Sequence, residues 1–226
     1  MNRGRKAGIL LWLFSTILTF AALYLVFMVV PNERSMGPVQ RIFYFHVGSA
    51  VASYFSVAVL FAASLFYLSK RSPSSDILAQ AAGETGMLFC TMVLFSGMIW
   101  AHSAWNTWFS WEPRLVTFLL LWMIFLAINL LRAFGEPARV AQHCAVLAIL
   151  GAITVPVIIV SVKILPQIAQ LHPQVIANRG LRDPSFKIAL SVAAFAMIFV
   201  QFLLLSIRYR IGVAEQTLEL RRQKNG

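Results

Sequence analysis

The chain has 226 residues, 59% of them hydrophobic and 12% charged. Soluble domains run nearer roughly 45–50% apolar and about 25% charged, so an ordinary soluble globule is excluded. The net charge of +11 is scattered and forms no continuous basic patch, which argues against nucleic acid and for loop topology plus anionic membrane lipids.

Six stretches without a formal charge follow in chain order, at residues 8–30, 42–68, 85–101, 115–131, 144–162 and 188–207. Each reaches the roughly 17–25 apolar residues that a helix needs to cross a bilayer. Backbone polar groups cannot go unpaired in lipid, so runs of this length must be helices. The pattern predicts an all-α integral membrane protein, a six-transmembrane-helix bundle forming one membrane domain over residues 1–226. The connecting segments hold 11, 16, 13, 12 and 25 residues, too few to bury a core of their own. The first stretch follows Arg3, Arg5 and Lys6 and reads as a retained signal anchor, because it exceeds a typical signal-peptide apolar region and no A-x-A-type site follows.

With the amino terminus inside, 12 Lys and Arg fall on the inner side and 7 on the outer, so both termini are expected in the cytoplasm. The stretches contain no Asp, Glu, Lys or Arg, against an ion-coupled carrier or proton pump. Pro156 is the only proline inside a stretch, and a kink eased by Thr154 is expected there. Cys90 and Cys144 suggest no external disulfide, and neither C-x-x-C-H nor a G-x-x-x-x-G-K loop is present, so covalent c-type haem attachment and ATP hydrolysis by this chain are not expected.

The chemistry concentrates in the segments expected to face outward, 31–41, 102–114 and 163–187. Four of the six tryptophans, Trp100, Trp105, Trp108 and Trp111, lie within twelve residues. If residues 105–111 are helical, Trp105, Trp108, Phe109 and Trp111 share an arc of roughly 160° at about 100° per residue, giving a short amphipathic helix in the membrane interface. An aromatic belt explains any one of these residues; their concentration favours a platform for a flat apolar ligand. Glu112-Pro113-Arg114 reads first as a helix start, and Arg114 also suits an anionic group. A single membrane-embedded histidine is usually a packing residue. His46, about one turn into the second stretch, and His172, in the last outer segment, share the face of the tryptophans, and imidazole is a standard axial ligand of haem iron. His102 sits on the same side and His143 on the inner one. Arg41, Arg114, Arg179 and Arg182 are candidates to pair with the two carboxylates of such a ring.

Residues Trp105-Asn-Thr-Trp108-Phe109-Ser-Trp111-Glu112-Pro113-Arg114-Leu115 resemble the W-G-x-W-W-x-W-D-P-R-L signature of the CcmC family, the haem exporter protein C of cytochrome c biogenesis. Asn106, Phe109 and Glu112 depart from it, keeping the aromatic face and the acid but losing a glycine. Arg41-Ile-Phe-Tyr-Phe-His46-Val resembles the family's R-I-x-Y-x-H-V stretch. Leu171-His172 resembles the second ligand segment, although paired tryptophans common before it are missing. The related CcsA-type proteins are longer, with more spans. The resemblance covers about Ile9 to Ile207.

It implies a non-covalent, transient b-type haem held by His46 and His172 as axial ligands, against Trp105, Trp108, Phe109 and Trp111, with Glu112 and Arg114 beside it. It further implies a non-enzymatic subunit of the bacterial cytoplasmic (inner) membrane that presents haem at the outer face to the periplasmic chaperone CcmE. The implied partners are the ATP-binding-cassette subunits CcmA and CcmB, the small membrane subunit CcmD, and lipid. Two rivals stay open: a haem b electron-transfer subunit, whose ligands usually lie deep within spans, and a structural anchor, from which no cofactor would co-purify.

Overall fold

The computed structural model describes residues 3–34, 36–164 and 183–225. Regular structure among them is helical, apart from a lone bridge between Glu33 and Gly37. Helix α1 (Arg3–Tyr24) continues through a π turn (Leu25–Val29), closed by the Val30 N–H on the Leu25 carbonyl at 2.9 Å. A 3-10 turn (Pro38–Gln40) leads into α2 (Arg41–Lys70), followed by α3 (Pro73–Trp105), α4 (Pro113–Phe134), α5 (Val140–Ala152), α6 (Thr154–Ile164) and α7 (Pro184–Asn225). Six segments are long and apolar enough to cross a membrane, α5 and α6 forming one of them.

Local chemistry sets the ends. Arg71 turns left-handed at φ 52° and donates its N–H to the Tyr67 carbonyl at 2.8 Å, which stops α2. Prolines 73, 113 and 184 then open α3, α4 and α7, because a first-turn N–H has no intrahelical partner to lose. The Asp183 carboxylate caps α7 through the Ser185 N–H at 2.7 Å. In the fifth span the expected kink is a full break at Ile153, between α5 and α6. Pro156 can offer no N–H to the Ala152 carbonyl and its ring crowds that group. The Thr154 hydroxyl donates to the Gly151 carbonyl at 2.6 Å, a side-chain bond that spans the break.

Helix α2 is the hub, packing against α3, α5 and α7, while α1 lies on α7 and α4 on α3, α5 and α6. Its buried face carries Gly48, Ser49, Ala52, Ser53, Ser56, Leu60, Ala63 and Ser64. Lipid is as apolar as leucine, so helices in a membrane associate by close packing of small residues and by interhelical hydrogen bonds. Both occur here. Gln201, wholly buried, donates from Nε2 to Ser56 Oγ at 2.5 Å and to Thr85 Oγ1 at 3.0 Å, joining α7, α2 and α3. Trp122 Nε1 donates to Thr91 Oγ1 at 2.9 Å between α4 and α3. Large apolar side chains such as Trp12, Phe20, Met28, Phe95 and Met123 are exposed, as expected of a lipid-facing surface.

Charge is confined to the ends of the bundle. Asp76 pairs with Arg132 at 2.6 Å, and Glu84 pairs with Arg208. Near them Gly8 leaves room for the Arg210 guanidinium, which a β-carbon there would meet at 3.1 Å, so the first and last helices meet at this end. His46 lies at the other end, in the second turn of α2.

The short helix expected over 105–111 is absent. Helix α3 runs through Trp105, and Asn106 then turns left-handed at φ 55°, ψ 31°, its N–H bonding the His102 carbonyl at 2.9 Å. Residues 107–112 are irregular, and Glu112 is extended at φ −79°, ψ 150°, the conformation that a following proline imposes. A capping asparagine and Glu112-Pro113 thus override the aromatic periodicity. Asparagine tolerates the left-handed region and a β-branched residue does not. Asn106→Gly should leave the melting temperature in detergent within a degree or two, whereas Asn106→Val should cost about 1–2 kcal/mol; equal melting of the two would contradict this account of the turn.

Candidate functional site

At the end opposite the ion pairs, His46 faces α3 across one turn, Ser96 to Trp100. Its Nδ1 lies 3.0 Å from Ser96 Oγ. Gly97 supplies the space: a β-carbon there would stand 3.1 Å from His46 Cε1 and 3.6 Å from Nδ1. The imidazole is half-buried and stands 6.3 Å, centroid to centroid, from Trp100. Trp100 stands 6.3 Å from Phe43 and 5.7 Å from Trp105. Four aromatic rings from α2 and α3 therefore form one run that leads from His46 to the end of α3.

The loop after α3 continues the aromatic surface. Trp108 stacks on His102 at 4.1 Å with 24° between planes, and Phe109 meets Trp111 edge-on at 5.3 Å. Trp108 is 55% exposed and Trp111 80%, so both present ring faces outward. Thr107 Oγ1 donates to the Phe109 carbonyl at 3.2 Å, bracing the loop. Glu112 is buried; its carboxylate accepts the Ser110 hydroxyl at 2.5 Å and its carbonyl accepts the Val116 N–H at 3.0 Å. Glu112 therefore holds the loop to the start of α4, with Arg114, half-buried, in the first turn of that helix.

The expected site residues thus fall into two linked groups. His46 and Trp105 share the run through Trp100, while Trp108, Phe109, Trp111, Glu112 and Arg114 form the loop and the helix start after it. His172, Arg179 and Arg182 lie outside the described residues. Ser96 and Gly97 were not legible as site residues in the sequence, and Trp100, one of the clustered tryptophans, was not expected beside His46. Ser96 and Trp100 are four apart on one helix face, which is a signal, but the pairing with His46 spans fifty residues and is set only by the α2–α3 packing.

Three buried polar atoms at this end of the bundle have no partner among the described residues. Trp100 Nε1 and Arg41 Nε are buried donors, and Gln40 Oε1 a buried acceptor, with no hydrogen bond. Arg41 is otherwise tied by Nη2 to Asn32 Oδ1 at 3.2 Å and lies 5.7 Å over the Phe27 ring. Buried donors are seldom left unpaired. The two unpaired donors at this end suit a ligand that carries acceptor groups, and the imidazole that fills the niche at Gly97 suits a nitrogen-seeking metal. No group of three or more His, Cys, Asp or Glu able to hold a bare metal ion occurs among the described residues.

The profile of the CcmC family, described as heme exporter protein C, matches residues 3–224. The chain is 32% identical over 209 residues to heme exporter protein C of Bradyrhizobium diazoefficiens, covering 91% of this chain and 80% of that one. To heme exporter protein C of Rhodobacter capsulatus it is 28% identical, over 82% of this chain and 78% of the other. A shorter match at 27% identity, over 59% of this chain and 55% of the other, is to heme exporter protein C of Escherichia coli K12. With a family match along nearly its whole length and a relative above 30% identity over nine-tenths of it, the chain belongs to the CcmC family.

Proposed function

We propose that this protein handles haem for cytochrome c biogenesis, holding it at the bundle end where His46 stands. The carrying observation is the placement of His46, half-buried against Ser96 and Gly97 at the root of a run of aromatic rings. Haem is a large apolar ring with two carboxylates and an iron that takes axial nitrogen ligands; bound here, it would supply no bond-breaking chemistry and would be the cargo. His46 supplies one axial nitrogen and His172 the other. Trp100, Trp105, Trp108, Phe109 and Trp111 offer ring faces on which the macrocycle stacks. Arg41 and Arg114 are the cations for its carboxylates, and Glu112 keeps the tryptophan loop in place.

A site on exposed loop aromatics favours release over permanent retention, which suits a b-type haem bound transiently and without a covalent link. In this reading the His46 end faces the periplasm of a bacterial inner membrane, both termini face the cytoplasm, and the haem passes to a chaperone of the CcmE kind. CcmA and CcmB would supply ATP hydrolysis, with CcmD alongside; this chain is a haem-presenting subunit and not an enzyme.

The test is the visible absorption spectrum of the detergent-purified protein beside His46→Ala and His172→Ala, expressed to equal levels with a CcmE-type chaperone and added haem. A Soret band with sharp bands on reduction, diminished by each substitution by at least about tenfold in haem retained per protein, is the expected result, since each removes a metal ligand outright. Haem absent from every sample would leave only an anchor with a tryptophan belt.

A further inference from the structure

The haem reading names His46 but does not say which of its nitrogens faces the metal. The hydrogen bonds of Ser96 decide this. A serine hydroxyl has one proton to give and can accept besides. Ser96 Oγ lies 2.6 Å from the Met92 carbonyl oxygen and 3.3 Å from that of Val93. Two oxygens approach to 2.6 Å only with a hydrogen between them, and a carbonyl has none, so the Ser96 proton is committed to Met92. The contact of 3.0 Å between Ser96 Oγ and His46 Nδ1 then takes its hydrogen from the ring: Nδ1–H donates and Ser96 accepts.

We infer that Ser96 is a positioning residue that fixes the neutral His46 ring in the Nδ1–H tautomer, with the lone pair on Nε2. This is the tautomer that ligation through Nε2 needs, with the second nitrogen donating to an acceptor that fixes the ring's orientation. Gly97 lies against the Cε1–Nδ1 edge of the ring, and turning the imidazole over about Cβ–Cγ would put Cδ2 where Nδ1 stands and so give up the hydrogen bond to Ser96. Ser96 is held by its own helix and not by His46, so the acceptor is in place before any ligand arrives. The inference rests on the haem reading for its purpose, but the tautomer is a property of the protein without haem.

The experiment therefore has a haem-free arm. In protein labelled with 15N-histidine, four ring systems give signals, and the one lost in His46→Gln belongs to His46. At a pH where the ring is neutral, Nδ1 should carry the proton in the unsubstituted protein and in Ser96→Thr, and the proton should redistribute toward Nε2 in Ser96→Ala. A haem-loaded arm records absorption and electron paramagnetic resonance: Ser96→Ala should hold haem roughly 10-fold to 100-fold more weakly, with altered axial-ligand signals, and Ser96→Thr should restore both. Protonated Nε2 in the starting protein, or an unchanged tautomer in Ser96→Ala, would overturn the inference. The expected tautomer together with failure of every sample to take haem would uphold the role of Ser96 and remove the haem reading alone.

Discussion

Gly97→Val should empty the candidate site while leaving the bundle folded. The β-carbon alone would stand 3.1 Å from His46 Cε1, closer than ordinary carbon–carbon contact by several tenths of an ångström. The same edge of the imidazole is held through Nδ1 by Ser96 at 3.0 Å, so a ring pushed off α3 leaves its acceptor as well as its position. Replacing a glycine within a helix stabilises the helix itself by up to about 1 kcal/mol, and Gly97 is only half-buried, so global unfolding does not follow. The expected result is a melting temperature close to that of the parent with haem retention reduced at least about tenfold, the scale of losing a ligand's orientation. Gly97→Ala should fall between the two, since a shift of a few tenths of an ångström accommodates it. Full haem retention with an unaltered spectrum in Gly97→Val would mean that His46 does not sit in the Gly97 niche when haem is bound.

The architecture was legible because lipid leaves the chain little choice. Uncharged runs at 42–68 and 188–207 lie inside α2 and α7, and the charges bounding them, at Lys70 and Arg208, occupy helix ends or continuations. What the runs could not give is how far each helix extends into water: α7 continues to Asn225, past Arg208, which pairs with Glu84 and Glu215. The tryptophan loop misled for a different reason. Aromatic spacing reports which residues would share a face if the segment were helical, but Asn106 and Pro113 settle the backbone first. In the site, His46 stood out by residue type. Its setting did not, since Ser96 and Gly97 read as ordinary small residues of a transmembrane helix until α2 and α3 are packed together.

Gly86→Leu should do the opposite of Gly97→Val and break the bundle itself. At Gly86 α3 touches both α4 and α2: a β-carbon would lie 2.3 and 2.4 Å from Cε1 and Cζ of Phe125 and 3.0 Å from Ser56 Cβ. Phe125 is 1% exposed, so its ring has no solvent to move into, although a small apolar void lined partly by Leu121, Ile124 and Ala148 borders it. Ser56 and the adjacent Thr85 both receive the Gln201 amide, so spreading α2 from α3 here also breaks the polar link to α7. Alanine would gain up to about 1 kcal/mol of helix propensity against an overpacking cost of about 1–3 kcal/mol, and the β-carbon contacts are short enough that the cost wins. Gly86→Ala should therefore lower the melting temperature measurably, and Gly86→Leu should fail to accumulate as folded protein in the membrane. If Phe125 is the obstacle, Gly86→Leu with Phe125→Ala should recover folded protein, because the leucine takes volume the ring gives up; Phe125→Ala alone should lose about 3–5 kcal/mol to its cavity. The yield of folded protein in the membrane for Gly86→Leu beside the double variant decides it, and a double variant that accumulates no better than Gly86→Leu would place the critical contact at Ser56 instead.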